Sequence, residues 1–207
     1  MTRLFRKFLQ QERAAVAFEA VIITPILAWL FVGSFVFFDA FRTYNTSLKA
    51  TYAVADVLSR QTEMIFGSDI EGLSNLFQHI TRNVEDSSMR VTEIRRRRND
   101  YRVDWSYATN GQTRLFNSDM SDLEENLPEM VHGERIILVE TFLPYRPAFN
   151  IGLSDLEFTN FTITRPRFAG QLDFNSGNDP DFCSSCNFGD GDGEGEPSDE
   201  GDTEPTG

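Results

Sequence analysis

Residues Ala20–Phe38 read AVIITPILAWLFVGSFVFF, nineteen consecutive positions without a charge. As an α-helix rising 1.5 Å per residue they extend roughly 28 Å, close to the ~30 Å hydrocarbon core of a bilayer. A helix apolar on every side needs either lipid or the centre of a large protein around it, and a chain of 207 residues does not build such a centre. The stretch therefore predicts one transmembrane helix. Pro25 lies in its first turns, a kink that membrane helices tolerate where neighbours or water re-satisfy the freed carbonyl.

The flanks orient the span. Arg3, Arg6, Lys7 and Arg13 precede it, while only Arg42 and Lys49 follow it closely. By the positive-inside rule the N-terminus is cytoplasmic and residues after about 39 lie outside, in the periplasm or beyond. This predicts a single-pass inner-membrane protein with an external module. A removable secretory signal is the rival reading. It requires an apolar region of roughly 7–15 residues ending in a small-x-small site, and FVFFDAFRT offers none.

Charge divides the chain. It carries 19 Lys+Arg and 32 Asp+Glu, a net of −13. From Asp173 to Gly207 there are eleven acids and no Lys or Arg, so the preceding body, with 21 acids and 19 bases, is nearly neutral. That distribution argues against a nucleic-acid partner. Two His and two Cys exclude a multi-Cys zinc module and a disulfide-stapled miniprotein, and 19 Phe argue against disorder throughout.

Glu19 stands one residue before the uncharged run. A carboxylate at mid-membrane costs on the order of 2.5–3.5 kcal/mol and usually has a functional partner. At the cytoplasmic interface it would simply snorkel. Its context is Arg13-Ala14-Ala15-Val16-Ala17-Phe18-Glu19, a segment that follows a basic leader and opens an apolar helix.

This segment resembles the processing region of type IV pilin-like proteins, and it is most similar to the TadE-like minor pilins or pseudopilins of the tight-adherence (Tad/Flp) system. The resemblance covers about Glu12 to Arg60, a quarter of the chain, including Thr24-Pro25. It implies a prepilin peptidase cutting between Ala14 and Ala15, which leaves Glu19 as the fifth residue of the mature chain. Ala14 stands where the family usually has Gly, and Ala20 where an aromatic often follows the Glu. It further implies inner-membrane insertion, other pilin or pseudopilin subunits as partners, and a long N-terminal helix packed on an antiparallel sheet. The physics of such a site is plain: cutting before Ala15 exposes an α-ammonium that a neighbouring subunit's Glu19 can pair with, setting the stagger between helices.

Asp39–Phe66 continues with helical periodicity, and Phe41, Tyr44, Leu48, Tyr52, Ala55 and Leu58 form the expected buried stripe. Without Gly or Pro before Gly67, the helix is expected to run to Phe66. Ser68 and Glu71 predict the capping box of a second helix whose buried face carries Ile70, Leu73, Phe77 and Ile80. After residue 88 the period shifts toward two. Met89–Ile94 and Tyr101–Tyr107 read as a hairpin linked at Asn99-Asp100, with Asn110-Gly111 marking the next turn. Asp119–Asn126 reads as a short helix, Arg135–Phe142 as a central strand and Leu156–Thr164 as a fourth strand. The fold class expected is α+β: a long N-terminal transmembrane helix running into a helix packed on a small antiparallel sheet, pilin-like, followed by an acidic disordered tail. The expected divisions are a basic leader over 1–14, a transmembrane helix over 15–38, an external α+β module over 39–170 and a Gly-rich acidic tail over 171–207.

Three smaller signals remain. Arg95–Arg98 reads as a solvated hairpin tip, or as a contact for an acidic partner or the chain's own tail. Cys183 and Cys186 form a C-x-x-C pair without further ligands, and outside the cytoplasm a local disulfide is the expected reading. Asp190–Glu196 alternates acids with Gly, but Gly201 occupies the position where a calcium loop needs its closing Glu, so no metal site is assigned there. With no P-loop, G-x-S-x-G, H-E-x-x-H or dinucleotide fingerprint, and with His79 and His132 read as ordinary, the expectation is a structural subunit with no cofactor and no catalytic residue. The alternative is an unprocessed single-pass anchor presenting an external binding module.

Overall fold

The computed structural model describes residues 12–82, 87–98, 100–149, 152 and 154–175, with side chains from residue 17 onward. Cys183, Cys186 and the acidic segment after Asn175 lie outside the described residues, as does Asn99.

One helix, α1 (Glu12–Ser59), runs 48 residues without interruption. Its first part is apolar and uncovered: Phe18, Val21, Leu27, Trp29 and Phe31 are all exposed. Pro25 is accommodated inside it, and the preceding Thr24 hydroxyl donates back to the Ala20 carbonyl at 2.6 Å. From Gly33 and Val36 onward one side of the helix is covered by the rest of the chain.

The helix stops at Ser59, seven residues before the expected end at Phe66. Tertiary bonds take over there. Arg60 and Gln61 close the last turn on the carbonyls of Val57 and Leu58, and the Ser59 carbonyl is taken by the Arg167 N–H at 2.8 Å. Ile65–Phe66 then forms β1, paired parallel with β6 (Phe174–Asn175).

Helix α2 (Gly67–Thr81) follows directly. Its expected cap is corrected by two residues: Asp69, not Glu71, reaches back, accepting from the Phe66 N–H at 2.9 Å. Gly67 starts this helix because a Cβ there would lie only 3.0 Å from the Tyr107 ring. The expected buried face holds, with Ile70 and Phe77 fully buried and Leu73 and Ile80 packed against the same core.

Strands β2 (Ser88–Arg97), β3 (Asp100–Ala108), β4 (Arg135–Tyr145) and β5 (Leu156–Thr164) form an antiparallel sheet in the order β3-β2-β4-β5. The apolar run of β4 is central, as its sequence predicts. Between β3 and β4 lie two 3₁₀ turns (Asn117–Asp119 and Glu124–Asn126) around the short helix α3 (Met120–Leu123). The β2–β3 register shifts between Glu93 and Ile94: Glu93 pairs with Trp105 and Ile94 with Val103, leaving Asp104 as the extra residue of a bulge.

Two apolar layers result. On one face Met89, Val91, Trp105, Ile137, Val139 and Leu143 pack with α1, α2, Leu172 and Phe174. On the other, Ile94, Val103, Ile136 and Leu138 are covered by Leu115, Met120 and the segment toward Met130. The folded body thus reaches Asn175, since Leu172 and Phe174 belong to the first layer.

The buried stripe of α1 is not the expected one. Phe41 and Tyr52 are 67% and 55% exposed, whereas Ser47, Ala50, Thr51, Val54, Ala55 and Leu58 face inward. The sheet approaches the helix closely on the side where the side chains are small. Ala55 and Leu58 alone are shared fully by the two stripes.

Candidate functional site

Of the residues singled out by sequence, Cys183 and Cys186 lie outside the described residues, while Ala14, Ala15 and Glu19 fall on α1. Ala14 and Ala15 lie within its first turn, and Glu19 follows Ala15 at i+4, on the same side one turn further along. Glu19 is exposed, and among the described residues it has no ion-pair partner. Among the described residues it is therefore a carboxylate without a partner, near the start of an apolar rod exposed from Ala17 to Phe31.

The described helix from Ala17 onward meets the length and hydropathy needed to cross a membrane, with little of its apolar window buried. The folded module grips the helix immediately beyond this stretch. At the end of β4, Tyr145 donates its hydroxyl to Asp39 at 3.0 Å, with the Val36 carbonyl at 3.4 Å. Burial, then the neighbouring Asp39, pushes the Tyr145 phenol up to about 12, so it remains a donor at any physiological pH. Tyr145 and Tyr44 both pack on Phe158 of β5.

Further up, the seam between helix and sheet is polar and satisfied. The buried Thr51 hydroxyl bonds the Ser47 carbonyl and the Thr141 hydroxyl, the latter at 2.7 Å, and the Asn160 amide donates to the Ser47 hydroxyl. Bonds of this kind fix the rotation of a helix on a sheet more sharply than apolar contact does, because a slip leaves buried polar groups unpaired. The module thus holds α1 in one rotational setting.

The four arginines at 95–98 do not form a solvated tip. Arg95, Arg96 and Arg97 lie within β2 and are partly buried, and only Arg98, in the left-handed region at φ 43°, stands exposed beyond the strand. Arg95 pairs with Asp104 at 3.1 Å, and Arg96 lies over the Tyr101 ring at 4.2 Å and near Glu124 at 3.8 Å. The acids that Arg95 and Arg96 meet, Asp104 and Glu124, belong to the folded body.

One group escaped sequence reasoning. Glu93 lies two residues past Val91, so strand alternation turns it to the same inner face, where this charged residue is 2% exposed. Its carboxylate accepts from the Trp105 indole N–H at 3.0 Å and the Leu172 N–H at 2.9 Å. Burial is the dominant influence and raises its pKa to about 7, partly opposed by the Leu172 bond. The bulge at Asp104, invisible in sequence, turns Trp105 to the helix-facing side that Glu93 shares with Met89 and Val91.

Set against protein-family models, curated proteins and solved structures, the chain finds no match. What it can do chemically rests on its own geometry: an exposed apolar rod, one carboxylate at its foot, and a rigid module clamped to its upper half.

Proposed function

We propose that this chain is a structural subunit of a membrane-associated fibre or its base, of the TadE-like minor pilin or pseudopilin kind, serving assembly of an adhesive Tad/Flp-type pilus. The observation that carries this reading is Glu19, an acid without an ion-pair partner among the described residues, on the uncovered end of a helix whose other end is packed on an antiparallel sheet. An unpaired carboxylate beside an apolar span is costly unless a partner supplies positive charge. In an assembly, the α-ammonium of an adjacent subunit cut between Ala14 and Ala15 supplies it. The apolar rod is then the packing element and Glu19 the register charge.

The reading takes the leader before Ala15 as cytoplasmic and the module as periplasmic or extracellular. A prepilin peptidase is the processing partner, and neighbouring pilin or pseudopilin chains are the assembly partners. Mass spectrometry of the mature N-terminus together with Glu19→Gln tests it. Processing predicts a chain beginning at Ala15, and Glu19→Gln is expected to abolish incorporation into assemblies while leaving membrane insertion intact. A chain still beginning at Met1, with Glu19→Gln without effect, identifies an unprocessed anchor that presents a binding module.

A further inference from the structure

The C-terminal end of α2 comes down beside the first turns of α1 above the span, leaving a cleft of about 380 Å³ lined by Asp39, Arg42, Thr43, Thr46, Ile80, Thr81 and Arg82. Its height is set by the helix. Arg42 is four residues beyond Phe38, so its Cα lies about 6 Å above the end of the uncharged run. The polar layer of a bilayer occupies roughly that depth outside the hydrocarbon.

Its charges are disposed asymmetrically. Among the described residues neither the Arg42 nor the Arg82 guanidinium has an ion-pair partner, and both residues are exposed. The third charge, Asp39, is turned to the Tyr145 hydroxyl. The Thr46 and Thr81 hydroxyls donate to the Arg42 and Phe77 carbonyls, which leaves their oxygens as acceptors toward the cleft. Arg82 holds its place because it ends α2 in the left-handed conformation, at φ 58°, with its N–H on the last carbonyls.

We infer that this cleft binds the headgroup of an anionic glycerophospholipid in the leaflet on the module's side, with Arg42 and Arg82 flanking its phosphate and the threonine oxygens meeting the glycerol hydroxyls. The inference rests on reading Ala20–Phe38 as a membrane span. Two guanidinium groups at headgroup height, without an ion-pair partner among the described residues, suit a phosphodiester, whose oxygens accept paired N–H bonds. Occupancy by a lipid also anchors the base of α2 to the membrane surface, on the side of α1 away from β5.

The test uses the full chain in nanodiscs containing phosphatidylglycerol and phosphatidylcholine, with retained lipid read by native mass spectrometry after gentle removal of the bilayer. Phosphatidylglycerol is expected to be retained over phosphatidylcholine by roughly fivefold per arginine. Arg42→Gln with Arg82→Gln is expected to abolish the preference, whereas Arg102→Gln, at the distal end of β3, leaves it intact. Equal retention of both lipids, or a preference that survives the double substitution, overturns the assignment. Free glycerol phosphate that binds the detergent-solubilised chain as strongly as phosphatidylglycerol also overturns it, in favour of a soluble phosphate. Carbonate extraction separates the two readings: a chain that stays with the membrane but shows no lipid preference defeats this inference alone, and a chain released as soluble defeats the span as well.

Discussion

Arg95 and Arg135 stand directly opposite one another in the β2–β4 ladder, and both guanidinium groups reach the carboxylate of Asp104, at 3.1 and 2.8 Å. Like charges facing across a pair are unfavourable, so the arrangement depends on the acid between them. Asp104 can serve both only because it is the extra residue of the β3 bulge, which swings its side chain away from the Trp105 side. Asp104→Asn keeps the shape and removes the charge. It is expected to destabilise the module by about 1–3 kcal/mol, since two partly buried cations then lack a counter-charge. Thermal unfolding of the full chain in detergent measures this, and an unchanged midpoint would show the pair to be solvated.

Glu93 makes stability depend on pH. Its folded pKa of about 7 lies above the ordinary 4.5, so the native state holds the proton more tightly than the unfolded chain does. The favourable contribution is complete below about pH 4.5, declines as pH rises, and is exhausted above about pH 7. The total is on the order of 3 kcal/mol. Melting midpoints should therefore fall between pH 5 and pH 8, and Glu93→Gln should flatten that slope. A midpoint that rises over the same interval in the native chain contradicts the buried carboxylic acid.

The polar seam of α1 should behave as a coupled pair. Thr51→Val or Thr141→Val alone strands the other buried hydroxyl and is expected to cost about 1–2 kcal/mol. The double substitution should cost less than the two single losses together, because both partners are replaced by a shape of equal size. Additive losses in the double-mutant cycle would mean that the 2.7 Å contact carries no coupling.

The observed rotation of α1 separates two residues that periodicity alone treats alike. Leu58→Ala, at a site 1% exposed, is expected to cost about 2–5 kcal/mol, while Tyr52→Ala, 55% exposed, should change the isolated chain by less than about 0.5 kcal/mol. Chemical unfolding of the two variants compares them. A larger loss at Tyr52 would restore the expected stripe.

Much of this architecture is legible in the residue pattern. The uncharged run of Ala20–Phe38, the second helix with Ile70 and Phe77 inward, and strands over 89–94, 101–107, 135–142 and 156–164 follow from local periodicity and turn chemistry, the structure extending the first three to 88–97, 100–108 and 135–145. So does the turn at Asn110-Gly111, where both residues adopt positive φ. Each of these depends on interactions within a few residues, which composition and spacing encode directly.

What periodicity does not encode is which neighbour arrives from far along the chain. Helix α1 ends at Ser59 because the Arg167 N–H takes its carbonyl and Ile65 pairs beside Phe174, partners more than a hundred residues away. The inner face of α1 is chosen by Thr141 and Asn160, so small hydroxyl residues win over Phe41 and Tyr52. Glu93 is enclosed because the bulge turns Trp105 to its face and the Leu172 segment returns over it, and Arg95 and Arg96 are held by Asp104 and Glu124. Local propensity is a matter of tenths of a kcal/mol per residue, whereas an unpaired buried polar group costs on the order of 1–3 kcal/mol. Where the two compete, the long-range partner decides.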